Sequence, residues 1–192
     1  MQADERPLRA DARRNRERIL EVARQAFATE GLAVPLDEIA RRAGVGPGTL
    51  YRHFPTKEAL FKAVVHERVR LLVEHARAAR RSPDAAQALY SVLDAVVTDA
   101  EAKSELIDVL VGAGIEVQTE VAAAAADLRH EMAQLLSEAQ KSGTVRDDVA
   151  APELMALLGG ILLALRHPNG PRLNPQRALA ILRDGLRPTE AH

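Results

Sequence analysis

Apolar residues recur at helical spacing along almost the whole chain, and no stretch alternates in the two-residue rhythm of a strand. Ile19, Ala23, Ala26 and Phe27 form one stripe, which predicts a helix over about 13–30 ended by Gly31, with residues 1–12 outside it as a disordered arm. Leu36, Ile39, Ala40 and Ala43 fall at i, i+3, i+4 and i+7, so a short helix starts near Leu36 and Gly44 follows it as a C′ glycine. Gly46 and Pro47 open a second short helix, with proline where its missing N–H is harmless. Pro55 breaks that helix, and Thr56 is a fitting N-cap for a fourth that runs to about Arg81. Further helices are expected over Asp84–Glu101, Lys103–Val111, roughly Val117–Lys141, Pro152 or Glu153 to near His167, and Pro175–Leu186. The expected fold is all-α, with about nine helices and no internal repeat.

The helix after Gly46 has two chemically different sides. At about 100° per residue, Leu50 and Phe54 lie close together and define a buried side. Gly48, Thr49 and Arg52 project from the opposite side, flanked by Tyr51 and His53. A helix that only faces solvent would carry more Glu and Lys. A helix that enters a DNA major groove needs close backbone approach, a guanidinium able to fork onto guanine, and hydrogen-bonding groups placed for phosphates. The two short helices and their glycine turn read as a helix-turn-helix, whose second helix puts its early residues against base edges. Lys57 in the first turn of the fourth helix opposes the helix dipole, and a DNA phosphate would explain it.

The run RILEVARQAFATEGLAVPLDEIARRAGVGPGTLYRHFPTKEALFKAV, from Arg18 to Val64, closely resembles the N-terminal domain of TetR-family transcriptional regulators. A helix ending in AF…EGL, then IA…AGV, GTLYRHF and KEAL, in that order over nearly fifty residues, carries the likeness. Beyond it the chain is similar to the family in length, helical character and position. The resemblance implies a DNA-binding head over residues 1–55 and a helical regulatory domain over residues 56–192. It implies a homodimeric repressor on a palindromic operator of double-stranded DNA, released by a small-molecule effector. Pro47, Gly48, Thr49 and Arg52 would enter the groove, while Tyr51, His53, Lys57 and Arg14 would meet the backbone. One departure stands out: many relatives cap the helix near Leu36 with Thr or Ser, and here Pro35 occupies the place, with Glu38 left where a capping box expects its partner.

The segment Leu154–Leu165 is apolar all round, which requires burial on more than one side. The regulatory domain supplies one side and a second copy of the chain the other, Gly159 and Gly160 allowing close crossing; a core helix in a monomer is the alternative. By resemblance the last two helices form the dimer face, expected at Leu154, Leu158, Gly159, Ile161, Leu162, Leu165, Ile181 and Leu182. Tyr90, Asp94, His130 and Met132 are candidates for an effector cavity, Tyr90 equally for the core. With aromatics at 3%, an aliphatic or mixed effector fits better than a flat polycyclic one.

Charge refines this picture. Residues 1–81 carry 17 Lys/Arg against 11 Asp/Glu, a balance of +6, and residues 82–192 carry 9 against 16, a balance of −7. A basic front and an acidic rear orient a molecule toward a polyanion. There is no cysteine, hence neither a disulfide nor a thiolate metal site. The longest apolar run, twelve residues, is too short to span a bilayer, and a cytoplasmic protein is expected. None of the six His sits in a zinc-protease motif, and neither a GxSxG elbow nor a phosphate loop after a strand occurs. No enzyme, metal or cofactor is therefore expected. An effector-independent activator or global regulator, and a helical small-molecule-binding or dimerisation module without DNA binding, remain alternatives.

Overall fold

The structure, a computed structural model, describes residues 5–101, 120–166 and 173–188, which are helical with no strand among them. The expected helix Lys103–Val111, the pattern-breaking Gly112 and Gly114, and most of the loop after Arg166 lie outside the described residues. The described residues up to Glu67 form one compact unit, and those from Arg68 onward a second.

In the N-terminal unit, α1 (Glu5–Glu30) leads through a 3₁₀ turn, Gly31–Ala33, into α2 (Leu36–Arg42) and α3 (Pro47–His53), followed by the first turns of α4 (Lys57–Ala79). The expected disorder of residues 1–12 is corrected from residue 5 onward, since α1 starts at Glu5. Lengthening an existing helix avoids the nucleation cost, and Pro7 falls within the first turn, where no intrahelical N–H is needed. A core of Ile19, Ala23, Phe27, Ile39, Leu50 and Phe61 closes the unit. The Phe27 and Phe61 rings meet with centroids 5.7 Å apart and planes tilted by 50°.

Between α2 and α3 the chain reverses through a Schellman motif. The Val45 N–H donates to the Ala40 carbonyl (3.0 Å) and the Gly44 N–H to the Arg41 carbonyl (3.1 Å), with Gly44 at φ 64°. Only a residue without Cβ takes that φ cheaply. Thr56 caps α4 as expected, its hydroxyl accepting from the Ala59 N–H at 3.1 Å.

The C-terminal unit comprises the rest of α4, then α5 (Ala85–Glu101), α6 (Glu120–Lys141), α7 (Ala151–Arg166) and α8 (Pro175–Gly185). The side chains of Asp84 and Asn174 cap α5 and α8, accepting from Gln87 N–H (2.9 Å) and Arg177 N–H (3.0 Å). Glu153 reaches back to the Ala150 N–H at 2.7 Å, which starts α7 one residue earlier than expected. The core is aliphatic: Leu89, Leu93, Met132, Leu135, Leu154 and Leu179 are buried in it.

Candidate nucleic-acid interface

The expected division of α3 into two sides holds in the structure. Leu50 and Phe54 are buried, as are Leu36, Ile39, Ala40 and Ala43 of the preceding helix. Pro47, Gly48 and Arg52 are exposed, Tyr51 is 44% exposed, and Thr49 and His53 are half-buried. The apolar side is thus spent on holding the helix, while its amino-terminal turn and guanidinium stand free.

Around that face the charges are organised. Asp37, in the first turn of α2, lies beside the Tyr51 hydroxyl; its negative charge first, and the hydrogen bond it accepts, push the phenol pKa upward. Pro35 occupies the N-cap of α2 and gives no side-chain cap. Glu38 turns to arginine instead, accepting from Arg41 (2.7 Å) and Arg42 (2.7 Å), which hold its carboxyl down at about 2. Arg42 also pairs with Glu30 at the end of α1 and so ties α1 to α2. The Lys57 ammonium donates to the Leu32 carbonyl at 2.9 Å. One of its three hydrogens is therefore engaged within the protein, and two remain for another acceptor. Arg14 is exposed and paired with Asp11.

The other expected sites fall differently. Met132 is buried, but His130 is exposed on α6 and faces no interior. The neighbouring Glu131 takes the inward position: it is 5% exposed and accepts from Arg77 (2.8 Å) and Arg80 (3.2 Å) of α4. Those guanidiniums, Arg77 foremost, hold its carboxyl below the ordinary range against the opposing effect of burial. Tyr90 and Asp94 are half-buried and taken up by Arg183 of α8, whose guanidinium pairs with Asp94 and lies 5.3 Å from the Tyr90 ring centroid. Sequence reasoning missed Glu131 and Arg183. For Glu131 a signal existed, since Leu128, Glu131, Met132 and Leu135 share i, i+3, i+4, i+7 spacing and put a carboxylate on an apolar stripe.

Of the expected dimer residues, Leu154, Leu158 and Leu182 prove to be core residues of their own unit. Ile161, Leu162 and Leu165 are half-buried, and Gly159 and Ile181 are exposed, Ile181 by 62%. An all-apolar helix carries no periodicity from which to choose its inner face, so packing chose it. The outward apolar side of α7 falls to Leu157 and Leu163, each 57% exposed. Leu157, Ile161, Leu173 and Ile181 line a groove of about 710 Å³ between α7 and α8, with Arg146 and Arg177 among its polar residues.

Comparison with known proteins places these features. The family described as bacterial regulatory proteins, tetR family, matches residues 19–64, and the SbtR-like transcriptional-regulator C-terminal domain matches residues 84–188. The TetR transcription regulatory protein from Mycobacterium vanbaalenii is 45% identical, with a TM-score of 0.78 over 94% of this chain and 99% of that one. A TetR transcriptional regulator from Streptomyces coelicolor is 33% identical, with a TM-score of 0.76 over 91% of this chain and 99% of that one. An HTH-type transcriptional regulator of Staphylococcus aureus is 39% identical over 69 residues, 35% of this chain, so that the match spans 37% of that relative's length. No helix among the described residues is long and apolar enough to cross a membrane. With both of its units matched and a full-length relative at 45% identity, the chain belongs to the TetR family of transcriptional regulators.

Proposed function

We propose that this chain is a homodimeric repressor that binds a palindromic operator in the bacterial cytoplasm and leaves it when a small molecule binds the regulatory domain. The observation that carries the reading is the two-sided α3, whose Leu50 and Phe54 are buried while Pro47, Gly48 and Arg52 stand exposed. In this reading residues 1–55 are the DNA-binding head and residues 56–192 the regulatory domain. Gly48, Thr49 and Arg52 face base edges, with Pro47 giving the helix its start. Tyr51, His53, Lys57 and Arg14 meet phosphates. The absence of a hydroxyl at Pro35 removes one phosphate contact that many relatives make.

The second copy covers the outer side of α7 and α8, where Leu157, Leu163 and Ile181 are too exposed to be explained by packing within one chain. Two-fold symmetry then demands two half-sites on the DNA. Release is a matter of linkage: an effector weakens DNA binding only by the amount it prefers the unbound conformation, typically about 1–3 kcal/mol. The lever is α4, one unbroken helix from Lys57 to Ala79.

Selection of bound fragments from random duplex DNA tests the reading. The expected product is a near-palindrome with half-sites about one helical turn apart or a multiple of it. Recovery of no enriched sequence, with no retention of duplex even in dilute buffer, would overturn it.

A further inference from the structure

We propose that Arg16 and Arg18 of α1 are phosphate clamps that hold the DNA backbone at the two ends of α3. This rests on the DNA-binding reading above and goes beyond it by assigning two residues outside the helix-turn-helix.

The arginines of the N-terminal unit with described side chains fall into two groups. Arg13, Arg14, Arg24 and Arg41 are paired with Glu17, Asp11, Glu21 and Glu38, and Arg42 with both Glu38 and Glu30. Arg16, Arg18 and Arg52 have no carboxylate partner among the described residues, although Glu17 and Glu21 lie on the same helix. An unpaired surface guanidinium keeps five donors for a phosphate and has no ion pair to give up. Arg52 lies on the exposed side of α3. Among the described residues Arg16 and Arg18 have no ion pair that ties them to the fold; Arg16 lies over the Phe54 ring and Arg18 lies against the Gly44 turn.

Their positions are specific. At about 100° per residue, Arg16 and Arg18 stand roughly 160° apart around α1, astride the buried Ile19. The Arg16 guanidinium lies 5.5 Å from the centroid of Phe54, the residue that ends α3. That ring holds the guanidinium on its face and limits the freedom that DNA contact would otherwise remove. On the other flank, the Arg18 terminal nitrogen lies 2.8 Å from where a Cβ on Gly44 would stand, in the turn that enters α3. The φ of Gly44 makes the turn, and the Arg18 guanidinium lies against it. One cation thus sits at each end of α3. Seven residues of helix are about 10 Å long, and the major groove that would receive them is about 12 Å wide with a phosphate backbone on each wall. Arg14, the DNA contact expected from the sequence in this helix, begins instead from a pair with Asp11.

The test measures affinity of the full chain by fluorescence anisotropy between about 50 and 200 mM salt, for wild type and for R16A, R18A, R16Q, R18Q, R16K and R18K. Two duplexes of equal length are used, one selected from random DNA and one of random sequence. Each Ala variant is expected to lower the slope of log affinity against log salt by about 0.9 per bound protomer, equally on both duplexes. The Gln variants, which keep most of the side-chain stem without the charge, should do the same, and the Lys variants should hold the wild-type slope. A wild-type protein with a steep slope that Ala and Gln variants both retain would overturn the clamp and leave the DNA-binding reading intact. A wild-type protein that shows no salt-dependent affinity for either duplex would overturn both.

Discussion

The two units of this protein are both helical and are held together by different chemistry. All three phenylalanines of the chain, Phe27, Phe54 and Phe61, are buried in the N-terminal unit, and the core of the C-terminal unit has none. The reason lies in helix length. α2 and α3 have seven residues each, far too few to be stable alone, and large rings concentrate much burial on few positions. α5, α6 and α7 have 17, 22 and 16 residues and bury long aliphatic stripes instead. Charge is divided in a parallel way. The N-terminal unit keeps its ion pairs at the surface, whereas the C-terminal unit buries Glu131 between two arginines of α4. The first arrangement gives a stiff platform for a short helix. The second gives a packing of interchangeable aliphatic groups plus one ionic clamp between α4 and α6.

Breaking the aromatic core should have the largest effect. Phe61→Ala is expected to cost about 3–5 kcal/mol in urea denaturation, and a loss under about 1 kcal/mol would show that the rings are not what holds the short helices. Glu131→Ala removes the acceptor of two guanidiniums and should cost about 1–3 kcal/mol. The same group predicts the pH response. Its carboxyl pKa is lowered by folding, so the clamp stabilises above the ordinary carboxylate range and weakens as pH falls through the depressed value. Acid titration of wild type should therefore show a loss of stability that the Glu131→Ala protein lacks; identical acid limbs would argue against the clamp.

Arg52→Ala addresses the exposed side of the platform and should cost about 1–3 kcal/mol of operator binding while relaxing specificity at one base pair per half-site. Equal losses on every duplex would point to a backbone contact instead. Lys57→Ala should weaken all duplexes evenly and lower the salt slope by about one per protomer. An unaltered slope with a lower melting temperature would make Lys57 solely the tether of the Leu32 carbonyl. The smallest effect on stability is expected for Leu157→Asp, within about 0.5 kcal/mol because the side chain is already exposed. Its signature is a shift toward monomer in sedimentation, and an unchanged dimer would move the interface elsewhere.

The platform was legible before any coordinates, and the body was only partly so. Leu36, Ile39, Ala40, Leu50 and Phe54 form a periodic pattern punctuated by Gly44, Pro47 and Thr56, and each of these acts locally, through a turn, a first-turn proline or a cap. The body lacks such punctuation where it mattered most. Along Leu154–Leu165 every face is apolar, so the burial of Leu154 and Leu158 rather than Leu157 and Leu163 had no expression in the pattern.

By itself, the order of residues determined the helical class, the helix-turn-helix, the chemistry of its exposed side and the kinship with TetR regulators, because these depend on spacing within a few turns of chain. Only the tertiary structure decided that Glu131 rather than His130 turns inward, and that Arg183 fills the space beside Tyr90 and Asp94. Those outcomes join residues dozens of positions apart, where periodicity carries no information and the choice falls to competition among side chains for the same buried volume and the same few carboxylates.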